Sequence, residues 1–183
     1  MRWLDYLGAA FSAALAAVNL QSPTVLSALV ALQAAAAGTL ILAHGRPHRE
    51  APVRVRLLAW AAVALPLLFT APKGSLWTEG VAAAGMALTL WAMVSLREAF
   101  GVAPADRGLV QRGPYRWVRH PMYAGESLTW LGVVSTLPSW RNLALLACLL
   151  AIMAVRVWWE ERLIAGYAAY RNETPWRFVP GVF

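Results

Sequence analysis

Arg112-Gly-Pro-Tyr-Arg-Trp-Val-Arg-His-Pro-Met-Tyr-Ala-Gly125 is the densest cluster of charged, ring-bearing and turn-forming residues in an otherwise apolar chain. Gly113 and Pro114 set a turn, and Arg107, Arg112, Arg116 and Arg119 are expected to crowd one face of it. Proline suits the first turn of a helix, so the order His120-Pro121 predicts a helix start with His120 at or near its cap. Free N–H groups and a partial positive charge make a helix N-terminus a natural anion site. The rest of the chain reads as the frame that brings other groups to this turn.

Working outward, the 183 residues are 60% hydrophobic and only 14% charged, against roughly 25% charged in soluble domains. The apolar residues fall in long blocks rather than amphipathic stripes, which predicts an all-α integral membrane protein forming one membrane domain over residues 1–183. A net charge of +7 invites a nucleic-acid reading, but arginines that flank apolar blocks are those of loops facing an anionic membrane surface. No nucleic-acid partner is expected. The single Cys148 lies inside an apolar block, where helix packing is the expected role.

Trp3 to Leu20 reads as a first transmembrane helix rather than a signal peptide, because the next apolar block starts after only Gln21-Ser22. Ser22-Pro23 reads as the cap and first turn of a second helix, to about Ala43. A basic, proline-broken loop follows, in which His44 and His48 are read as solvated rather than as metal ligands; no metal site is expected. A third helix is predicted from Leu57 to Thr70 with a kink at Pro66, then a turn over Ala71–Ser75, then a fourth from Leu76 to Phe100. Pro121 to Leu137 and Trp140 to Trp159 form a C-terminal hairpin of a fifth and a sixth segment, the former short of the roughly 20 residues of a perpendicular span. The last helix is expected to continue beyond the bilayer to Tyr170. No strand-like alternation is found.

Five to six transmembrane helices result. With six crossings and both termini cytoplasmic, fourteen of the sixteen basic residues fall inside and only Lys73 and Arg141 outside, as the positive-inside rule requires. The 112–125 turn and the end of the last helix then meet on the cytoplasmic side.

There the chain carries Glu160-Glu161, conspicuous among nine acidic residues. Adjacent helical positions point about 100° apart, so one can face a pocket while the other orients it or forms an ion pair. A plainer alternative pairs Glu160 with Arg156 and leaves Glu161 in solvent. Tyr167 and Tyr170 continue the Glu160 and Leu163 face, where interfacial aromatics are also expected. Glu126, three residues after Tyr123, shares that residue's face and lies just inside the fifth helix, where an ionisable group usually faces a cavity or a partner.

The run Leu109-Val-(x2)-Gly-Pro-Tyr-Arg-(x2)-Arg-His-Pro-Met-Tyr, with Glu160-Glu161 beginning 37 residues after Tyr123, resembles the isoprenylcysteine carboxyl methyltransferase and phospholipid methyltransferase group. The resemblance covers about Arg97 to Phe183. It implies an integral-membrane methyltransferase using S-adenosylmethionine, bound between the key loop and the end of the last helix. It divides the chain into generic N-terminal helices over 1–75 and a methyltransferase-like, cofactor-binding core over 76–183. By this resemblance Tyr115, His120 and Tyr123 line the cofactor site, with the Leu109-Val110 backbone at the adenine. One of Glu160 and Glu161 engages the ribose hydroxyls or the amino group. Arg119 and His120 suit the methionine carboxylate.

The acceptor implied is a lipophilic carboxylate, amine, hydroxyl or thiol, on a small molecule or a lipid, entering from the bilayer between helices; membrane lipids are the expected partners. The catalytic residue stays open, with Glu126 and Arg119 as candidates. Two other readings remain beside this one: an NADPH-dependent membrane reductase of sterol-reductase type, and a transporter or structural membrane protein.

Overall fold

A computed structural model describes residues 2–21, 25–70 and 74–182 of the chain, without the side chains of residues 2–4, 25 and 26. The helices are α1 (Arg2–Asn19), α2 (Val25–Ala43), α3 (Val53–Ala64), α4 (Leu76–Leu96), α5 (Pro121–Thr136), α6 (Trp140–Leu163) and α7 (Tyr167–Glu173). The all-α class therefore holds. Of these, α4 with its continuation to Ala99, and α6, are long and apolar enough to cross a membrane. The Ser22-Pro23 cap and residues 71–73 of the expected turn, Lys73 among them, lie outside the described residues.

Serine caps begin α4 and α6, where Ser75 Oγ accepts from Thr78 N and Ser139 Oγ from Asn142 N, each at 3.3 Å. These satisfy N–H groups that a helix start leaves without partners. The third helix departs from expectation. It starts at Val53, just after Pro52, and Pro66 turns its end into a 3-10 turn over Leu65–Leu68 rather than a kink; proline has no N–H to give a longer helix. The helix extension is corrected too. The last long helix stops at Leu163, and Gly166, at φ 77°, reverses the chain before the separate α7. That left-handed conformation is one glycine adopts without steric cost.

The tightest crossing joins α4 to α5, so the fifth segment packs chiefly on the helix before it rather than on α6. Small residues permit it. A Cβ on Gly125 would lie 2.5 Å from Thr89 Oγ1 and 2.7 Å from the Gly85 carbonyl oxygen, and one on Gly132 2.6 Å from Ala82 N. Close backbone approach of this kind drives helix association where lipid gives no hydrophobic contrast. At the end of the bundle away from the 112–125 turn, fully buried Asn142 accepts from Thr70 N at 3.2 Å. It donates to the carbonyls of Thr70 at 2.8 Å and Leu137 at 2.9 Å, tying α6 to the end of the third segment and to the α5–α6 turn. Leu76, Trp77 and Trp140 stand exposed at that end, as an interfacial belt requires. Cys148, expected to pack between helices, is exposed.

The opposite end gathers the loops. Two-residue strands β1 (Arg49–Glu50) and β2 (Ala105–Asp106) pair antiparallel, with Arg49 opposite Asp106. A pair this short shows no alternation to read along the chain. Gly45 N donates to the Glu98 carbonyl at 2.9 Å, and Asp5 sits 3.5 Å from half-buried His44; His48 is exposed, as expected. The loops after α2 and α4 and the start of α1 thus meet beside the turn that begins α5.

Candidate active site

His120 is the N-cap residue of α5, and Pro121 occupies its first turn, as predicted. The preceding 3-10 turn, Gly113–Arg116, opens on Gly113 at φ 59°. The four arginines do not share a face. Arg112 Nε donates to the Ser95 carbonyl at 2.6 Å, and Arg116 lies over the Trp117 ring. Arg107 is half-buried behind the loop, and only Arg119 is buried in the site, 7% exposed. Their different surroundings show that the turn's backbone fans the side chains apart.

The C-terminal tail, which carried no sequence signal, holds this turn in place. Arg119 N donates to the Trp176 carbonyl and His120 N to the Arg177 carbonyl, both at 2.9 Å. Below them Glu161 is the hub of a charged network. Arg177 grips it through Nε on Oε1 and Nη2 on Oε2, both at 3.0 Å. Arg119 Nη1 donates to it at 3.4 Å and also, through Nη2, to the Pro175 carbonyl at 3.2 Å. His120 Nε2 lies 3.2 Å from Glu161 Oε1 and 2.8 Å from the Tyr167 hydroxyl, which itself donates to Oε1 at 3.3 Å. Since an ionised carboxylate only accepts, this arrangement puts the imidazole proton on Nε2. Burial raises the Tyr167 hydroxyl far above its ordinary range, so it acts as a neutral donor.

Glu160 points elsewhere. Its Oε1 accepts from the Tyr123 hydroxyl at 2.5 Å, and Oε2 sits 3.8 Å from His120 Nδ1. The plainer pairing of Glu160 with Arg156 is not found: Arg156 lies over the Tyr123 ring, 4.9 Å from its centre. Tyr170, buried, donates to the Tyr115 carbonyl at 2.6 Å and fixes the inner wall.

A cleft runs between these elements. Its inner part, about 70 Å³, is lined by Leu109, Val110, Tyr115, Arg119, His120, Tyr123 and Glu160. It opens past Leu109 and Val110 into an outer part of about 610 Å³. Of the expected cofactor residues, only Glu161 stands behind the wall rather than on it. Glu126 lies apart, in a second chamber of about 380 Å³ among the helices, together with Arg156. Met122 lines both spaces and is their common wall. Arg119 borders the cleft but not that chamber. Tyr167 and Tyr170 line the cleft too, and their spacing from Glu160 was the available signal. Arg177 and the buried Asp106 had none; Asp106 accepts from Gly108 N at 3.1 Å and Ala165 N at 3.3 Å, tying β2 to the end of α6.

The model of one protein family, phospholipid methyltransferase, matches residues 76–170, just over half of the chain. This chain belongs to that family. The match begins at α4 and ends at Tyr170, and so includes both walls of the cleft. The uncharacterized protein YpbQ of Bacillus subtilis (strain 168) is similar, at 25% identity over 132 residues, 68% of this chain and 78% of that protein. With the apolar helices, the family makes this a membrane methyltransferase.

Proposed function

We propose that this protein moves the methyl group of S-adenosylmethionine to a lipophilic acceptor drawn from the bilayer. The observation that carries the reading is the shared wall: a cleft bordered by Arg119, His120 and Glu160 and an apolar chamber meet at Met122. A water-soluble donor and a lipid-soluble acceptor need that arrangement. S-adenosylmethionine supplies a methyl group on a sulfonium, which leaves readily once a nucleophile is in line.

The cleft's residues fit such a cofactor. The Nε of Arg119 is buried with no hydrogen-bond partner, a donor suited to a carboxylate. Glu160 offers an acceptor for an ammonium or ribose hydroxyls, and Leu109, Val110 and Ile164 give apolar walls for a base. Glu161 does not reach the cofactor but fixes His120, Arg119 and Tyr167 in place. Catalysis in this reading is positioning and exclusion of water, for which the tail strapped across the turn and the buried α4–α5 crossing provide the rigidity. Neither Arg119 nor Glu161 needs to move a proton.

The family match from residue 76 supports assigning the cofactor-binding core to 76–183 and support to the N-terminal helices. We further infer six crossings with the cleft and both termini cytoplasmic. The helices alternate in direction, and the arginine-rich loops share the cleft's end of the bundle.

The test is binding of labelled S-adenosylmethionine by the protein in nanodiscs, with S-adenosylhomocysteine and NADPH as competitors. Saturable binding displaced by S-adenosylhomocysteine, and weakened in His120→Ala and Glu161→Gln, is expected. Displacement by NADPH alone would replace this reading with the reductase; folded protein that binds neither would end the enzyme reading.

A further inference from the structure

Gln33 sits near the middle of α2, within the apolar stretch Ser27–Ala43. Val30, Gln33, Ala34, Ala37 and Ile41 all line the 380 Å³ chamber. Their spacing is that of one helix face, so the Gln33 side chain is turned toward the chamber, while Leu32 and Leu42 stand exposed on other faces. Gln33 Oε1 is buried and, among the described residues, has no hydrogen-bond partner. An amide oxygen left without a partner in apolar surroundings destabilises the fold. Polar groups at such a place usually serve a neighbouring helix or a ligand.

No neighbouring helix answers it, and most of the chamber's other polar groups are engaged. Asn19 Nδ2 donates to the Leu15 carbonyl at 2.9 Å, Thr89 Oγ1 to that of Gly85 at 3.0 Å and Thr129 Oγ1 to that of Gly125 at 2.9 Å. Glu126 and Arg156 are opposite charges on one chamber wall, and Arg156 also covers the Tyr123 ring. Ser12 lies against Gly38, nearer the cleft than Gln33 does. Ile41 shares a buried cluster with Met122, the wall between chamber and cleft. Gln33 is two helical turns deeper, about 12 Å at 1.5 Å per residue. The chamber's volume falls in the range of small-molecule sites, about 300–1,000 Å³. It is therefore an apolar space with one unanswered amide well away from the end where methyl transfer would take place.

We propose that Gln33 is a specificity-determining residue: the acceptor held in this chamber carries a hydroxyl within its apolar body, about 12 Å from its reacting end, and that hydroxyl bonds to the Gln33 amide. This rests on the methyl-transfer reading, which puts the acceptor in the chamber, and adds a requirement on the acceptor's body rather than on its reacting group. A hydroxyl both donates and accepts, so it serves the amide whichever way its last bond is turned, donating to Oε1 or accepting from Nε2. A plain alkyl chain would fill the same space and leave the amide bare. A site built to bond a hydroxyl rejects the analogue that lacks it for that reason. The residue type fits the role, since a methionine would pack at this position with no polar atom to satisfy. Gln33 weakens the empty protein and is answered only when the right molecule is bound.

The test compares three probes of one length, octadecan-1-ol, octadecane-1,3-diol and octadecane-1,10-diol, as competitors of the tritiated 1,10-diol bound to the protein in nanodiscs. The 1,10-diol carries its second hydroxyl to about the depth of Gln33, and the 1,3-diol matches it in polarity but not in position. Wild type is expected to prefer the 1,10-diol about tenfold over the other two. In Gln33→Met, which keeps the length of the side chain, that preference should fall below about twofold. Using the same nanodiscs for both proteins cancels the probes' different partition into lipid. A second readout separates this role from a structural one. Unliganded Gln33→Met should unfold at a midpoint equal to or above that of wild type, because an apolar group replaces an unpartnered one. The same ranking of probes in both proteins, no preference in the wild type, no saturable binding of the labelled diol, or a lower midpoint in Gln33→Met would overturn the proposal. Labelled S-adenosylmethionine, measured separately, should bind both proteins alike. Its failure to bind the wild type would strike the methyl-transfer reading instead.

Discussion

The tail and the end of α6 should be energetically coupled through Arg177 and Glu161, and a double-mutant cycle measures it. The pair is bidentate, with both bonds at 3.0 Å, and a hydrogen bond to a charged group contributes about 1.5–3 kcal/mol. The side chains are 27% and 16% exposed, so solvent hydrates and screens part of that, which leaves a coupling of about 2 kcal/mol. Glu161→Gln alone should cost more, about 3 kcal/mol, because it also leaves the buried Arg119 and His120 without their shared acceptor. Arg177→Met alone should cost about 2 kcal/mol. The double variant should then cost about 3 kcal/mol rather than the sum of the two. In thermal unfolding of a chain this size, 1 kcal/mol shifts the midpoint by roughly 2–4 °C, so the shortfall from additivity is about 4–8 °C. Unfolding midpoints of the four proteins, followed by tryptophan fluorescence in one detergent, give the cycle. A coupling below about 0.5 kcal/mol would be indistinguishable from independent sites and would refute the claim that the tail is clamped through Glu161.

Gly125→Ala should push α4 from α5, since the added carbon would meet backbone as well as Thr89; a loss of about 1–3 kcal/mol is expected, and a midpoint equal to wild type would count against the crossing. Tyr170→Phe leaves the Tyr115 carbonyl without its 2.6 Å donor, an expected cost of about 1–3 kcal/mol with looser cofactor binding; unchanged unfolding and binding would remove Tyr170 from the wall. Burial raises the hydroxyls of Tyr115, Tyr167 and Tyr170, so the folded state keeps these protons where unfolded tyrosines, near pH 10, lose theirs. Their contribution to stability is complete below about pH 10 and falls as pH rises beyond it. Tyrosinate absorbance is the assay, and early ionisation of these three in folded protein would contradict it.

Several parts of this molecule were legible in single stretches of sequence. Apolar block length marked the helices, because a chain in lipid must close its own hydrogen bonds. The order His120-Pro121 marked the start of α5 to the residue, because proline's fixed φ and missing N–H fit only there. The adjacent glutamates implied divided duties, because a helix turns by 100° per residue, and Glu160 faces the cleft while Glu161 holds the network. What required the tertiary structure lies where partners are far apart along the chain. The grip of Arg177 on Glu161, the β1–β2 pair, the packing of α5 on α4 rather than α6, and the burial of Arg156 over Tyr123 leave no local period to read. The end of α6 was misjudged because helical spacing persists through Ile164–Gly166 in the sequence, while the left-handed Gly166 breaks it in space. Local backbone preferences are written residue by residue. The choice among long-range partners is made only when the bundle closes, because burial and unsatisfied polar groups then set which pairing survives.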